Sequence, residues 1–220
     1  MKGISHVLVL AAVLAVSLEA RADWVLSASQ DGGAFSTLAN GAYTGSTGTN
    51  FSGTFGNFAF NINLVDMQTA SQALLSLQSV TANNQSALAA HSLDLRLADS
   101  GYTMAGSAGN SLTLTSNIAA DRLTGTGLLT FQTLVSGGAL TPLQTVSVVP
   151  GSDGQSASFI RGATLGLQND TTITLGASGQ IQETGSSEVN AAPEPATLGL
   201  ALAGAGFAGG FALIRRKRKA

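Results

Sequence analysis

The feature that most constrains this chain is an alternation of period two that returns repeatedly between Asp23 and Ala192. In "HSLDLRLADS", Leu93, Leu95 and Leu97 alternate with Asp94, Arg96 and Ala98, so an extended backbone presents one apolar face and one mostly polar face. "FGNFAFNINL" does the same through Phe58, Phe60, Ile62 and Leu64, and "SLTLTSNI" through Leu112, Leu114 and Ile118. "GLLTFQTLV", "QTVSVV", "ASFIRGATLGL" and "TTITLGASGQIQ" read as further strands, parted by Gly, Asn, Asp or Pro turns. Strands at this spacing, without long helical patterns between them, predict an all-β ectodomain: an antiparallel β-sandwich, jelly-roll-like. One stretch is mixed. In "DMQTASQALLSLQSVTANNQSALAAH", Leu74, Leu75 and Leu77 suit either period and Asp66 stands where a helix cap would, leaving room for one short helix. The glycine-rich stretch from Asp31 to Gly56 predicts loops and edge strands.

What holds such a sandwich together is limited by composition. There is no cysteine, which excludes a disulfide framework, a thiol nucleophile and thiolate metal sites. Burial and hydrogen bonds must suffice, and 170 residues are enough to enclose one core. Only 10% of the 220 residues are charged, and the net charge of −2 hides a segregation. The middle sets Arg96, Arg122 and Arg161 against ten acids, a net −7, whereas Pro193 to Ala220 carries five cations against Glu194. An acidic, lysine-free middle excludes nucleic acid as a partner, because phosphates require clustered Lys and Arg.

The two ends read as addresses. Lys2, the apolar Val7–Leu18 and the small-x-small triplet Ala20-Arg21-Ala22 form a secretory signal peptide over 1–22, cleaved after Ala22 by signal peptidase once the Sec translocon has engaged it. Twelve apolar positions are too few for a comfortable bilayer span. The ectodomain then occupies 23–190. Over 191–220, Pro193-Glu194-Pro195 is stiff and extended because each proline fixes its own φ and restrains its predecessor. Thr197–Ile214 carries no charge and predicts a transmembrane helix of about 27 Å, close to the hydrocarbon thickness. Arg215, Arg216, Lys217, Arg218 and Lys219 hold the tail cytoplasmic and set the orientation.

This tripartite ending resembles the PEP-CTERM sorting signal of exported proteins in Gram-negative bacteria that make extracellular polysaccharide. The likeness rests on Pro193, Glu194, Pro195, the following Ala196-Thr197-Leu198, the apolar run and the basic cluster. Ala192 departs from the Val often found in the family. The resemblance implies recognition of the proline pair by exosortase, a membrane-embedded transpeptidase-like protease, and passage through the inner membrane to the outer cell surface or extracellular matrix. Five glycines in the apolar run suit a segment that is later unwound rather than a permanent anchor. "LADSGYTM", "SLTLTSNI" and "TGTGLLTFQT" also resemble ectodomains that accompany such tails, with no catalytic motif to transfer.

Chemistry is sparse in the middle. His91 is the one histidine left after signal removal, and its phase with Leu93 makes it the structural end of an inward face. Asp94 and Arg96, two residues apart on the other face, predict a surface ion pair. No G-x-S-x-G, H-E-x-x-H or P-loop is present. Paired carboxylates for glycoside hydrolysis would come from Asp31, Asp66, Asp94, Asp99, Asp121, Asp153 and Asp170. Yet "QDGG", "ADSG", "SDGQ" and "QNDT" place acids as turn residues, and stacking aromatics are few: Trp24, Tyr43, Tyr102 and scattered Phe. The N-glycosylation triplets at Asn50, Asn84 and Asn169 are chance matches in a Ser/Thr-rich chain.

The reading is therefore a non-enzymatic exported protein without cofactor, sorted by exosortase and associated with exopolysaccharide and biofilm. The alternative is a carbohydrate-binding or Ca²⁺-dependent adhesion module on the same anchor, its Ca²⁺ held by oxygens of Asp-rich turns.

Overall fold

The structure is a computed structural model describing residues 23–191 except 43, 45–47, 70, 104–108, 110, 137–139, 161 and 163–164. The signal peptide with Ala20 and Ala22, the Pro193-Glu194-Pro195 motif, the 197–214 span, the 215–219 cluster, Tyr43 and Arg161 lie outside the described residues.

Twelve strands follow in chain order: β1 (Asp23–Gln30), β2 (Ser36–Ala42), β3 (Thr49–Phe55), β4 (Phe58–Gln68), β5 (Gln72–Asn84), β6 (His91–Tyr102), β7 (Ser111–Thr124), β8 (Gly127–Val135), β9 (Gln144–Val146), β10 (Gly151–Ile160), β11 (Leu165–Leu175) and β12 (Gln180–Ala191). They form two six-stranded antiparallel sheets, ordered β2-β1-β6-β11-β8-β9 and β10-β7-β12-β5-β4-β3. Below, these are the first and second sheets. From β5 to β8, and again from β10 to β12, the chain changes sheet at every connection. The expected sandwich is therefore present, and the glycine-rich region supplies its edges, β2 and β3.

Period two explains the core. Leu93, Leu95 and Leu97 from the first sheet and Phe58, Ile62 and Leu64 from the second are all at most 1% exposed, each such burial contributing about 1.5–3 kcal/mol. The segment with room for a helix is instead the 13-residue strand β5. Its ambiguity has a physical cause. Asn63 pairs with Ser79 but Leu64 with Leu77, so Gln78 is an extra, exposed residue that shifts the phase. Ala73, Leu75 and Leu77 before it, and Val80 and Ala82 after it, thus share one face despite opposite parity.

A polar lace also crosses the core. Asn169 on β11 donates to the Leu75 carbonyl on β5 (2.9 Å) and accepts from Thr133 on β8 (3.1 Å). Thr133 meets Ser116 on β7 (2.9 Å), which accepts from Gln144 on β9 (2.6 Å). Buried side chains of this kind tie the sheets together only because they are paired. Asn169 and Asn84 are 0% and 2% exposed, which removes both triplets from any glycosylating enzyme in the folded protein.

Candidate functional site

The outer face of the first sheet carries the most organised exposed polar array among the described residues. Register sets it out in rows: Val25, Ala98, Gln168 and Leu134 stand side by side on β1, β6, β11 and β8, and the next row holds Ser27, Arg96, Asp170 and Gln132. Arg96 donates to both carboxylate oxygens of Asp170, Nε at 2.9 Å and Nη2 at 3.2 Å. Gln168 Nε2 donates to the same two oxygens, each at 3.0 Å. The exposed Phe35 ring lies 4.3 Å from the guanidinium carbon, a cation–π contact. Its bond to Asp170 raises the Arg96 pKa further. In the following row Thr172 donates to Asp94 at 2.7 Å. The expected Asp94–Arg96 pair is thus corrected: each bonds instead to the facing residue of β11, because the neighbouring strand brings a partner closer than a residue two along on the same strand.

Beside the array lies an open depression of about 420 Å³, lined by Asp23, Val25, Ala98, Asp99, Ser100, Leu134, Val135, Ser136, Gly166, Leu167 and Gln168. It sits toward the end of the sandwich where β1 begins and β12 finishes.

At that same end, inside the core, the structure brings two of the candidate acids together. Asp66 on β4 and Asp99 on β6 are 0% and 4% exposed and come from opposite sheets. Tyr102 donates to Asp66 Oδ1 at 2.7 Å, and Thr44 Oγ1 accepts from the Asp66 amide at 2.9 Å. Asp66 Oδ2 and both Asp99 oxygens have no hydrogen-bond partner among the described residues. Burial and then the facing Asp66 carboxyl push the Asp99 pKa up to about 9. Burial raises Asp66 as well. A proton held between the two carboxyls meets both demands. Glu183 on β12 is a third buried acid, 0% exposed and without a described partner, pushed up to about 8 by burial.

Asp66 is therefore not a helix cap, nor is Asp99 a turn residue: both lie within strands on the apolar face. Asp170 and Asp153 likewise belong to strands β11 and β10 rather than turns. Asp31 is a turn residue, with φ 53°. It anchors the opposite end of the sandwich, accepting from the Ser92 amide at 2.9 Å and lying 2.8 Å from His91 Nδ1. The Ser92 amide, followed by Gln30, holds its carboxyl down at about 2. Asn57 donates to His91 Nε2 at 3.0 Å, so both ring nitrogens are engaged, with the proton placed on Nδ1. His91, at the start of β6, thus links the Asp31 turn to Asn57. Asp121 stands exposed on β7, apart from the others. Among the described residues no group of three or more His, Asp or Glu side chains is arranged to hold a metal ion, and no helix is long and apolar enough to cross a membrane.

No curated protein matches the sequence. Among solved structures, the chain is similar to a carbohydrate-binding module, TmCBM61 with beta-1,4-galactotriose, at TM-score 0.33 and 7% identity, covering 54% of this chain and 82% of that one. It is similar to the module CBM6cm-2 of Cellvibrio mixtus lichenase 5A with cellotriose at TM-score 0.20 and 11% identity, covering 68% and 91%. No residue role is carried over from either. Residues 191–218 match the PEP-CTERM protein-sorting motif. The motif begins where β12 ends, at Ala191, and contains the Pro193-Glu194-Pro195 triplet. The chain thus carries a PEP-CTERM protein-sorting motif over residues 191–218, which implies export and sorting by exosortase.

Proposed function

We propose that this protein is a non-enzymatic component of the outer cell surface or extracellular matrix, placed there by exosortase among the exopolysaccharide of a biofilm-forming cell. The sorting motif at 191–218, set directly after the last strand of the sandwich, carries this reading. A folded sandwich followed at once by a processing signal is a cargo with its own release site. In this reading Pro193, Glu194 and Pro195 are recognised, Thr197–Ile214 places them in the membrane, and Arg215–Lys219 set the orientation.

A structural role accords with where the acids lie. Glycoside hydrolysis requires two carboxyl groups facing a sugar across an open cleft, about 5–9.5 Å apart. The pair that meets, Asp66 and Asp99, is buried between sheets, and Asp31, Asp94, Asp153 and Asp170 are each held in local hydrogen bonds.

The decisive measurement is the C-terminus of the mature protein in the native host, by mass spectrometry of membrane and extracellular fractions. Wild-type protein is expected outside the membrane with a terminus near Pro193. Deletion of Pro193–Pro195 is expected to leave a membrane-bound precursor ending at Ala220. Normal processing of the deletion variant would remove exosortase from the account.

A further inference from the structure

The outer face of the first sheet holds a row of polar side chains in fixed positions beside an open depression. Its central strands, β6 and β11, are fixed by neighbours on both sides, so side chains along their rows are positioned by the sheet and not by loops. Arg96 is locked three ways: against Asp170 by two hydrogen bonds, under the Phe35 ring, and through Asp170 to Gln168. That pairing leaves the Nη1 edge of the guanidinium, and Gln168 Oε1, for other partners.

The ligand class follows from the chemistry of the face. The depression of about 420 Å³ falls in the range of small-molecule sites. Its wall alternates apolar Val25, Ala98 and Leu134 with polar Ser100, Gln168 and Asp23. A ligand that matches must itself alternate C–H faces with hydroxyls. It must also carry no negative charge. Arg96 is the one cation on this face among the described residues and Asp170 neutralises it, while Asp23 and Asp94 repel anions.

We infer that this face binds a neutral saccharide, with sugar hydroxyls on Gln168 and the free edge of Arg96, and sugar C–H faces on Val25 and Leu134. The inference rests on the reading that the protein works among extracellular polysaccharide, and it turns a passive resident of that matrix into one that grips it.

The test uses the full chain purified in detergent and isothermal titration with cellotetraose, β-1,4-galactotetraose, maltotetraose and the host's own purified exopolysaccharide. At least one neutral probe is expected to bind. Gln168→Ala is expected to weaken that binding tenfold or more with an unchanged melting temperature. Val25→Glu, which puts charge into the depression at an exposed position, does the same should the first variant fold poorly. No heat with any neutral probe overturns the proposal, and so does binding that both variants leave intact. The two readings fail separately. A protein processed and exported that binds no saccharide sinks this site alone, whereas one that binds but keeps its full tail in the host sinks the sorting account alone.

Discussion

The two ends of the sandwich use aspartate in opposite ways. At one end Asp31 sits in a turn, its side chain 46% exposed, surrounded by donors from Ser92, Gln30 and His91. Its carboxyl is held down at about 2. At the other end Asp99 sits between the sheets facing Asp66, with no described donor, and is pushed up to about 9. The side chain is the same and the shift reverses, because one site supplies hydrogen bonds to the charged form while the other removes water and adds a second carboxyl. The buried pair thus favours its protonated form, whereas the exposed carboxyl favours its charged one.

This contrast predicts opposite pH responses. Asp99 carries a folded-state pKa above its unfolded value near 3.9, so the native state binds the extra proton. Its favourable contribution is complete below about pH 4 and declines as pH rises toward 9, by up to about 1.4 kcal/mol per pH unit. Urea unfolding from pH 4 to 9 is expected to show this decline, to which Glu183, raised to about 8, adds in the same direction, and Asp99→Asn, an amide of the same shape, is expected to make it shallower. An equally steep decline in the variant would mean that another group titrates. Next in size is Tyr102→Phe, which removes the 2.7 Å bond to Asp66 and is expected to cost about 1–3 kcal/mol. An unchanged denaturation midpoint at pH 5 would count against a paired carboxyl there. Smallest is Asp31→Asn. A depressed pKa stabilises above about pH 4 and is lost as pH falls toward 2, but exposure screens the effect to within about 1 kcal/mol. Wild type and variant are expected to differ more in thermal melts at pH 7 than at pH 2.5.

The sequence reveals the strands because each long strand buries one face, so parity marks the core except where a bulge shifts the phase, as Gln78 does in β5. The same parity carried a signal about the acids that local reading missed. Asp66 continues the series Phe58, Phe60, Ile62, Leu64, and Asp99 continues Leu93, Leu95, Leu97. Turn propensity pulled both toward the surface, since Asp beside Ser and Gly, or at the head of a polar run, usually caps or turns. That the two acids meet is not legible at all, because it depends on how the sheets stack. The Arg96–Asp170 pair was hidden for a similar reason: its members lie 74 positions apart, and only the β6–β11 register joins them. The sorting motif was legible because it is a linear signal that needs no tertiary partner.

Strand β12 has a mechanical consequence. It lies between β7 and β5 and pairs with both along nearly its whole length, and the chain passes from its last residue straight into the sorting motif. A pull on Ala191 along the axis of β12 would load the hydrogen bonds on both flanks in shear, so that they would yield together rather than peel one by one. The sandwich therefore behaves as a stopper knot on its own export line. An enzyme or membrane pulling on residues beyond Ala191 reaches a fixed limit there and gains no further length without breaking the centre of a sheet.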